Sequence, residues 1–506
     1  MSWYLWLILG YLLILAGFNV WRSRQVKSQD DFMVAGRSLS LTKMVFTLVC
    51  TWIGSGTFIA GAEYASYAGW SAVWQPAGAF VGIAIIYFVA AKIRTFGQYT
   101  VGDILEARYG KFARLFGALA LIVAFTTIVS YQFRAGGYIL NVVTDGRVSL
   151  EVGQTIAALF VITFVTLGGM IAVAHTDLPN GIIIVLACLL AIPFVVATAG
   201  GFAHTTEVLP AGHFAVFSPD FGKYPMLKGL SYFLSTLLLL MGVQSMYQKF
   251  YAARSPQEAK RAVAIWIVGV IVVETIAIAI AVFAASYNVE HQMGWDPRSL
   301  VLNAARHMVP GPVGVLLLAA ACAVVLSTGM NYLLSSSSNV MRDIYQRFLK
   351  PDADPDKMVA LQKVFIVAMG VVAFLMIFIP TALHSQISVL QYAYFAYTIY
   401  GVAITPALFA ALTWKRATRQ GGLASIVGGA LAVIFFELLL PRLAPSIVQG
   451  AQGAGAGVFG GDPWGIPSIY PAALISIGLL VIVSLLTPRP SAAELEPIFG
   501  GQTAKS

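Results

Sequence analysis

Charge is scarce in this chain. Aspartate, glutamate, lysine and arginine make up 10% of its 506 residues, against about 25% in an average soluble domain. Water-facing surface needs charge, so the chain does not read as a string of soluble domains, although its length would allow several. Cysteine is scarcer still: Cys50, Cys188 and Cys322. All three sit inside apolar segments, which argues against a disulfide framework and for packing. Signatures of catalysis are missing as well. There is no Walker P-loop, no HExxH, no CxxC and no nucleophile elbow. The stretch GSGTF at 54–58 lacks the strand–helix setting of a nucleotide fingerprint.

What is present is apolar length. Hydrophobic residues account for 58% of the chain and come in blocks of about 20, the length that crosses a bilayer core. Such blocks must be helices, because lipid offers no partner to open backbone groups. A transmembrane β-barrel would show shorter, alternating segments. We place thirteen spans near 3–20, 42–66, 71–91, 115–140, 153–172, 179–200, 228–248, 262–286, 311–341, 364–380, 386–412, 422–440 and 468–487. The first 20 residues read as a span with its N-terminus outside, because the basic cluster Arg22, Arg24, Lys27 follows the apolar run. Thirteen spans then put the C-terminus inside.

The net charge of +9 points to topology rather than to nucleic acid. Twenty-three of the 31 lysines and arginines fall in the inner loops and tail of this scheme, Lys249 among them, and six in the outer loops. That bias orients the chain. The Gly- and Ala-rich stretch at 441–467 reads as a loop, and the tail TPRPSAAELEPIFGGQTAKS as unstructured.

Two spans carry unusual chemistry. The second, FTLVCTWIGSGTFIAGAEYASYAG, crowds Gly54, Gly56 and Gly61 beside Ser55 and Thr57. Glycine weakens a helix and frees carbonyls, and unwound carbonyls at midplane are how transporters hold ions and solutes; small residues also serve close helix packing. The ninth, ACAVVLSTGMNYLLSSSSNVMRDIY, carries Ser327, Thr328 and Asn331. Two hydroxyls, a carbonyl one turn earlier at Val324 and two carbonyls from a broken second span would ligate a hard monovalent cation, although such hydroxyls also bond their own helix. Arg134, Glu274, Glu63 and Asp177 lie in or at spans, where ionisable groups are costly and mark either a solute or proton path or a fixed interhelical pair. Without an ATP site, transport is gradient-driven or passive.

The chain resembles the sodium:solute symporter family, which includes bacterial proline, galactose, sialic acid and pantothenate transporters. The resemblance rests on DFMVAGRSLS, TWIGSGTFIAG, TVGDILEARYG, GGMIAVAHTD, QSMYQKFYAARSPQEAKRA and LSTGMNYLLSSSSNVMRDIY, in that order. It implies an all-α membrane fold with a LeuT-type inverted repeat of five plus five helices and flanking spans. The implied division is a first span and inner loop at 1–41, a transport core at 42–412 (spans 2–6 and 7–11), and two C-terminal spans with a short tail at 413–506.

The resemblance also assigns sites. Sodium ligands fall on the hydroxyls of Ser327 and Thr328 and the carbonyls of Val324, Cys50 and Ile53. A second sodium in some members uses an acidic residue, here Asp177, and hydroxyls that fall on Met330 and Asn331. The hydroxyl missing at Met330 implies one sodium, with Asp177 supporting the first site. Solute-facing positions fall on Trp52, Thr57 and Gln244, with Trp74, Gln75, Tyr131 and Gln132 as further candidates. Arg134 could pair with a carboxylate on the solute.

The expected protein is a sodium-coupled symporter of a small organic solute, with a carboxylate as one candidate. It has no organic cofactor, does not bind nucleic acid, works as a monomer and sits in a plasma membrane of bacterial type. Two rivals remain: a proton-driven carrier using Glu274 or Asp177, and a transporter-like membrane sensor.

Overall fold

The computed structural model describes residues 3–24, 26–352, 354–382, 388–449 and 462–500. Eleven helical segments among them are long and apolar enough to cross a membrane. The outer surface carries exposed Leu13, Ile14, Phe88, Leu159, Val268, Leu474 and Leu486, as lipid-facing helices require. Polar side chains are instead turned inward, with Ser327, Gln132, Gln244, Lys249 and Asp177 all fully buried.

The principal helices, in chain order, are α1 (Trp3–Ser23), α2 (Leu41–Trp52), α3 (Gly61–Ala68), α4 (Trp74–Phe96), α5 (Val101–Tyr109), α6 (Lys111–Val143) and α7 (Leu150–Thr198). They continue with α8 (Pro225–Gly242), α9 (Gln244–Ala252), α10 (Pro256–Glu290), α11 (Gly311–Ser338), α12 (Pro355–Ala382), α13 (Val389–Ala403), α14 (Thr405–Thr413), α15 (Arg419–Ile434), α16 (Ile469–Leu486) and α17 (Ala492–Phe499). Helix α11 lies at the centre, packed against α6 and α7 and buried along most of its length.

Local breaks decide what this bundle can do. Between α2 and α3, Ile53 leaves the helix with an extended backbone, and the chain re-enters through a wide turn at Gly56–Ala60. Glycine is required here by close approach: a Cβ on Gly54 would lie 2.9 Å from Thr328 Oγ1, and one on Gly56 2.7 Å from the Tyr397 hydroxyl. Helices α8 and α9 are separated at Val243, which is also extended. A pair of backbone hydrogen bonds, Leu39 N–H to Ala252 and Arg254 N–H to Leu39, ties the entry of α2 to the exit of α9.

Helix α7 has 49 residues, about 73 Å at 1.5 Å per residue and too long for one crossing. It breaks at Gly169, whose φ of 51° and ψ of −149° are not helical, and where a Cβ would meet the Phe32 ring at 2.7 Å. The fifth span was expected to end near 172 and the sixth to begin at 179. The break instead precedes both, so His175, Thr176 and Asp177 are helical and Asp177 lies inside the sixth segment.

The tail also differs from expectation. Residues Ala492–Phe499 form a helix started by a capping box between Ser491 and Glu494. It is held because Ile498 and Phe499 are buried, with Lys92 Nζ 3.8 Å from the centre of the Phe499 ring. Of the Gly- and Ala-rich stretch, residues 450–461 lie outside the described residues; its flanks Val448–Gln449 and Asp462–Pro463 pair as short antiparallel strands.

Candidate functional site

The break in the second span sets its carbonyls against the hydroxyls of α11. Thr328 Oγ1 lies 3.1 Å from the Cys50 carbonyl and 3.2 Å from that of Ile53. Ser327 Oγ lies 3.3 Å from the Cys50 carbonyl and donates a short hydrogen bond to Asp177 Oδ1. Thr47 Oγ1 donates to Asp177 Oδ2 at 2.5 Å, and Asn331 Nδ2 approaches the same oxygen at 3.3 Å. Val324 lies one turn before Thr328 on α11 and is fully buried. The structure thus brings Cys50, Ile53, Ser327, Thr328 and Asp177 into one oxygen-rich cluster.

The donor set suits a hard cation, which favours oxygen over nitrogen or sulfur. Most of the oxygens are neutral and one carboxylate stands at the edge, a charge balance for a monovalent ion. Among the described residues no group of three His, Cys, Asp or Glu side chains is placed to hold a metal.

Lys249 is the residue the sequence concealed. It was counted with the inner loops, yet it is fully buried on α9. Its Nζ donates to Asn331 Oδ1, so one amide links the ammonium to the Asp177 carboxylate. The seventh span was expected to end at 248, which left Lys249 in the loop after it; the chain instead stays helical through Ala252, with Gln244–Ala252 buried. Its signal was a helix-compatible spacing of Tyr247, Phe250 and Tyr251, all buried.

A second polar cluster surrounds the same break. Gln132 Oε1 accepts from the Ser55 backbone N–H at 3.2 Å, and Gln75 Nε2 donates to the Gly56 carbonyl at 3.2 Å. Each amide therefore caps the broken helix with one end. The other ends, Gln132 Nε2 and Gln75 Oε1, are buried without a hydrogen-bond partner among the described residues. Thr57 Oγ1 donates to Glu274 Oε1 at 2.9 Å. Trp52 approaches Glu274, but without hydrogen-bond geometry, so its Nε1 and Glu274 Oε2 are both left over. Unsatisfied buried polar atoms are rare in native proteins and call for a ligand or water.

Three of the residues expected near the solute have other partners here. Gln244 donates to Asn339 Oδ1 at 2.6 Å and accepts from the Val101 N–H at 3.0 Å. Its position at the start of α9 points it toward the end of α11 and the loop helix α5, not toward Thr57. Arg134 Nη1 lies 3.3 Å from Gln154 and 3.8 Å from Glu151, at the start of α7. That acidic neighbour already serves the guanidinium. Trp74 is also remote, stacked on Phe217 and bonded to the Val216 carbonyl. Glu63 pairs with Arg298 at 3.2 Å, a fixed interhelical pair.

The two helix breaks differ in chemistry. At Val243 the Tyr400 hydroxyl donates to the Gly242 carbonyl and accepts from the Gln244 N–H, while Tyr247 donates to the Met241 carbonyl at 2.9 Å. This break is closed by side chains of the protein itself. Of these two, it is the break at Gly54–Gly56 that presents carbonyls to a hydroxyl pair.

Comparison with known proteins follows the same lines. A sequence model of the sodium:solute symporter family matches residues 32–429. The sodium/proline symporter of Escherichia coli (strain K12) is 27% identical over 468 residues, covering 87% of this chain and 89% of that protein. The high-affinity proline transporter PutP of Bacillus subtilis (strain 168) is 26% identical over 464 residues, covering 86% and 94%. In structure, a sodium-coupled sialic acid symporter in a substrate-bound outward-open state superposes with a TM-score of 0.77 at 18% identity, covering 96% and 98%. Mhp1, a nucleobase-cation-symport-1 family transporter, superposes at 0.58 and 13%, covering 92% and 97%. These neighbours share the LeuT-type fold.

Proposed function

Because the chain belongs to the sodium:solute symporter family, we propose that it couples inward sodium movement to uptake of a small organic solute. The observation that carries this reading is the pair of α11 hydroxyls, Ser327 and Thr328, set against the Cys50 and Ile53 carbonyls at a helix break. Sodium is written here as cargo. It would be held by those four groups and by the Val324 carbonyl, with Asp177 fixing Ser327 and adding negative charge at the edge.

Sodium in that position joins α11 to the broken second span. The same break carries Gln132, Gln75 and Thr57 on its other side. Ion binding therefore sets the conformation of the segment that contacts solute, which is how one site affects the other's affinity. The solute chamber in this reading comprises Trp52, Thr57, Gln75, Gln132 and Glu274. Gln244 and Arg134 are left to structural roles, which removes the support for an acidic solute held by Arg134. The relatives named above are proline transporters, so amino acids are the first class to screen.

Of the thirteen crossings, the ten in the core at 42–412 would act as two five-helix repeats, with the helices outside it as supports, the C-terminus cytoplasmic and one chain as the working unit. Uptake into proteoliposomes tests the coupling. Flux that needs an inward sodium gradient supports it; flux that follows a proton gradient in sodium-free buffer replaces it with proton coupling.

A further inference from the structure

Glu274 lies mid-way along α10 and is 5% exposed. A carboxylate inside a membrane span is costly unless something compensates it. Other buried acids here have a cation: Asp343 lies 2.6 Å from Arg114, Glu63 3.2 Å from Arg298, and Asp177 is joined to Lys249 through Asn331. Glu274 has the Thr57 hydroxyl on one oxygen and, among the described residues, no partner on the other. Among the described residues no lysine, arginine or histidine forms an ion pair with it; the groups facing it include Trp52, Thr57, Tyr394 and Tyr397.

Those neighbours are informative. Tyr394 and Tyr397 stand edge to face with centroids 5.8 Å apart, and the Tyr131 and Tyr397 hydroxyls both approach Gly56. Aromatic faces attract cations, most strongly where water is excluded. An uncompensated carboxylate beside several aromatic rings is the arrangement that recognises an organic cation and repels an anion.

We propose that the transported solute carries a positively charged nitrogen, an ammonium or quaternary ammonium group, and that it binds with that nitrogen against Glu274 and the surrounding rings. This rests on the symport reading and names its solute class. Gln132 Nε2, a donor without a partner among the described residues, remains for the polar end of the molecule, so the class includes zwitterions as well as simple cations.

The test uses full-length protein in lipid nanodiscs at saturating sodium, with thermal shift as the readout. Three matched pairs of probes differ in the charged nitrogen alone: L-proline and tetrahydrofuran-2-carboxylate, choline and 3,3-dimethylbutanol, putrescine and 1,4-butanediol. The expected result is that at least one charged member binds at least ten-fold more tightly than its uncharged counterpart. Glu274→Gln should weaken that probe at least ten-fold, and Glu274→Asp by less. The shift produced by sodium alone, compared with potassium, reports that each variant is folded. Equal binding within a pair, an unchanged affinity in Glu274→Gln, or no binding of any charged probe by protein that responds to sodium would each overturn the assignment. Loss of the sodium response in the unmodified protein would strike the symport reading instead, and the proposal with it.

Discussion

At the scale of single residues, the account depends on oxygen atoms held a few ångströms apart by neighbours that cannot be larger. Gly54 is the clearest case, since a Cβ there would lie 2.9 Å from two atoms of Thr328. Gly54→Ala should cost about 1–3 kcal/mol through overpacking and weaken sodium binding by displacing the hydroxyl; sodium titration of thermal stability measures both. Lys249 and Asp177 supply a second case. Removing one member of a buried charge pair costs about 3–5 kcal/mol because the other is stranded. In sodium-free buffer Lys249→Met should destabilise by that order, and adding Asp177→Asn should recover part of the loss. Strictly additive effects in that double-mutant cycle would show that the Asn331 link carries no coupling.

At the scale of elements, the useful contrast is between the two broken spans. Tyr400 closes the break at Val243 from both sides, so Tyr400→Phe leaves a buried carbonyl and a buried N–H unpaired. About 1–3 kcal/mol of stability should be lost, the usual cost of one such unsatisfied group, seen as a lower unfolding midpoint with sodium affinity preserved. The break in the second span was legible because Gly54, Gly56 and Gly61 fall close together in an apolar run, and the hydroxyl pair was legible from the ninth span. The break at Val243 was not, because Tyr400 lies 156 residues from Gln244 in the chain and only tertiary packing brings it there. For the same reason the partners of Gln244 and Arg134 were not legible. Each lies in a polar or basic span segment, and no local pattern shows that Asn339 and Val101, or Gln154 and Glu151, already occupy them. Asp177 was expected at a helix start; Thr47 and Ser327 satisfy its oxygens inside a helix instead.

At the scale of the whole molecule, one end of the bundle is laced by charge. Arg114 on α6 contacts Asp103 and Glu106 of α5 at 2.9 and 2.8 Å and Asp343 beyond α11 at 2.6 Å, and Arg347 joins Glu106. Burial disfavours the charged form of Glu106, but hydrogen bonds from Arg347 and Arg114 outweigh it and hold the carboxyl below its ordinary range. A depressed folded-state pKa adds stability that is full above the unfolded value, about 4.3 for glutamate, and is lost as pH falls through the folded value. Glu106→Gln should therefore flatten the acid limb of the stability–pH curve and leave its slope near neutrality unchanged. The inward-facing polar groups and lipid-facing leucines follow from composition and apolar length, which is why the fold class could be read from the chain while the pairing of its polar groups could not.

The central claim is that sodium binds where the second span breaks against α11. It is tested most directly by thermal unfolding of purified protein in sodium and in potassium at equal ionic strength, without solute. A ligand ten-fold above its Kd stabilises the folded state by about 1.4 kcal/mol. The account predicts a sodium-specific rise in the unfolding midpoint that vanishes when Ser327→Ala is combined with Thr328→Ala. A sodium-specific rise of the same size in that double variant would place the ion elsewhere and contradict the account.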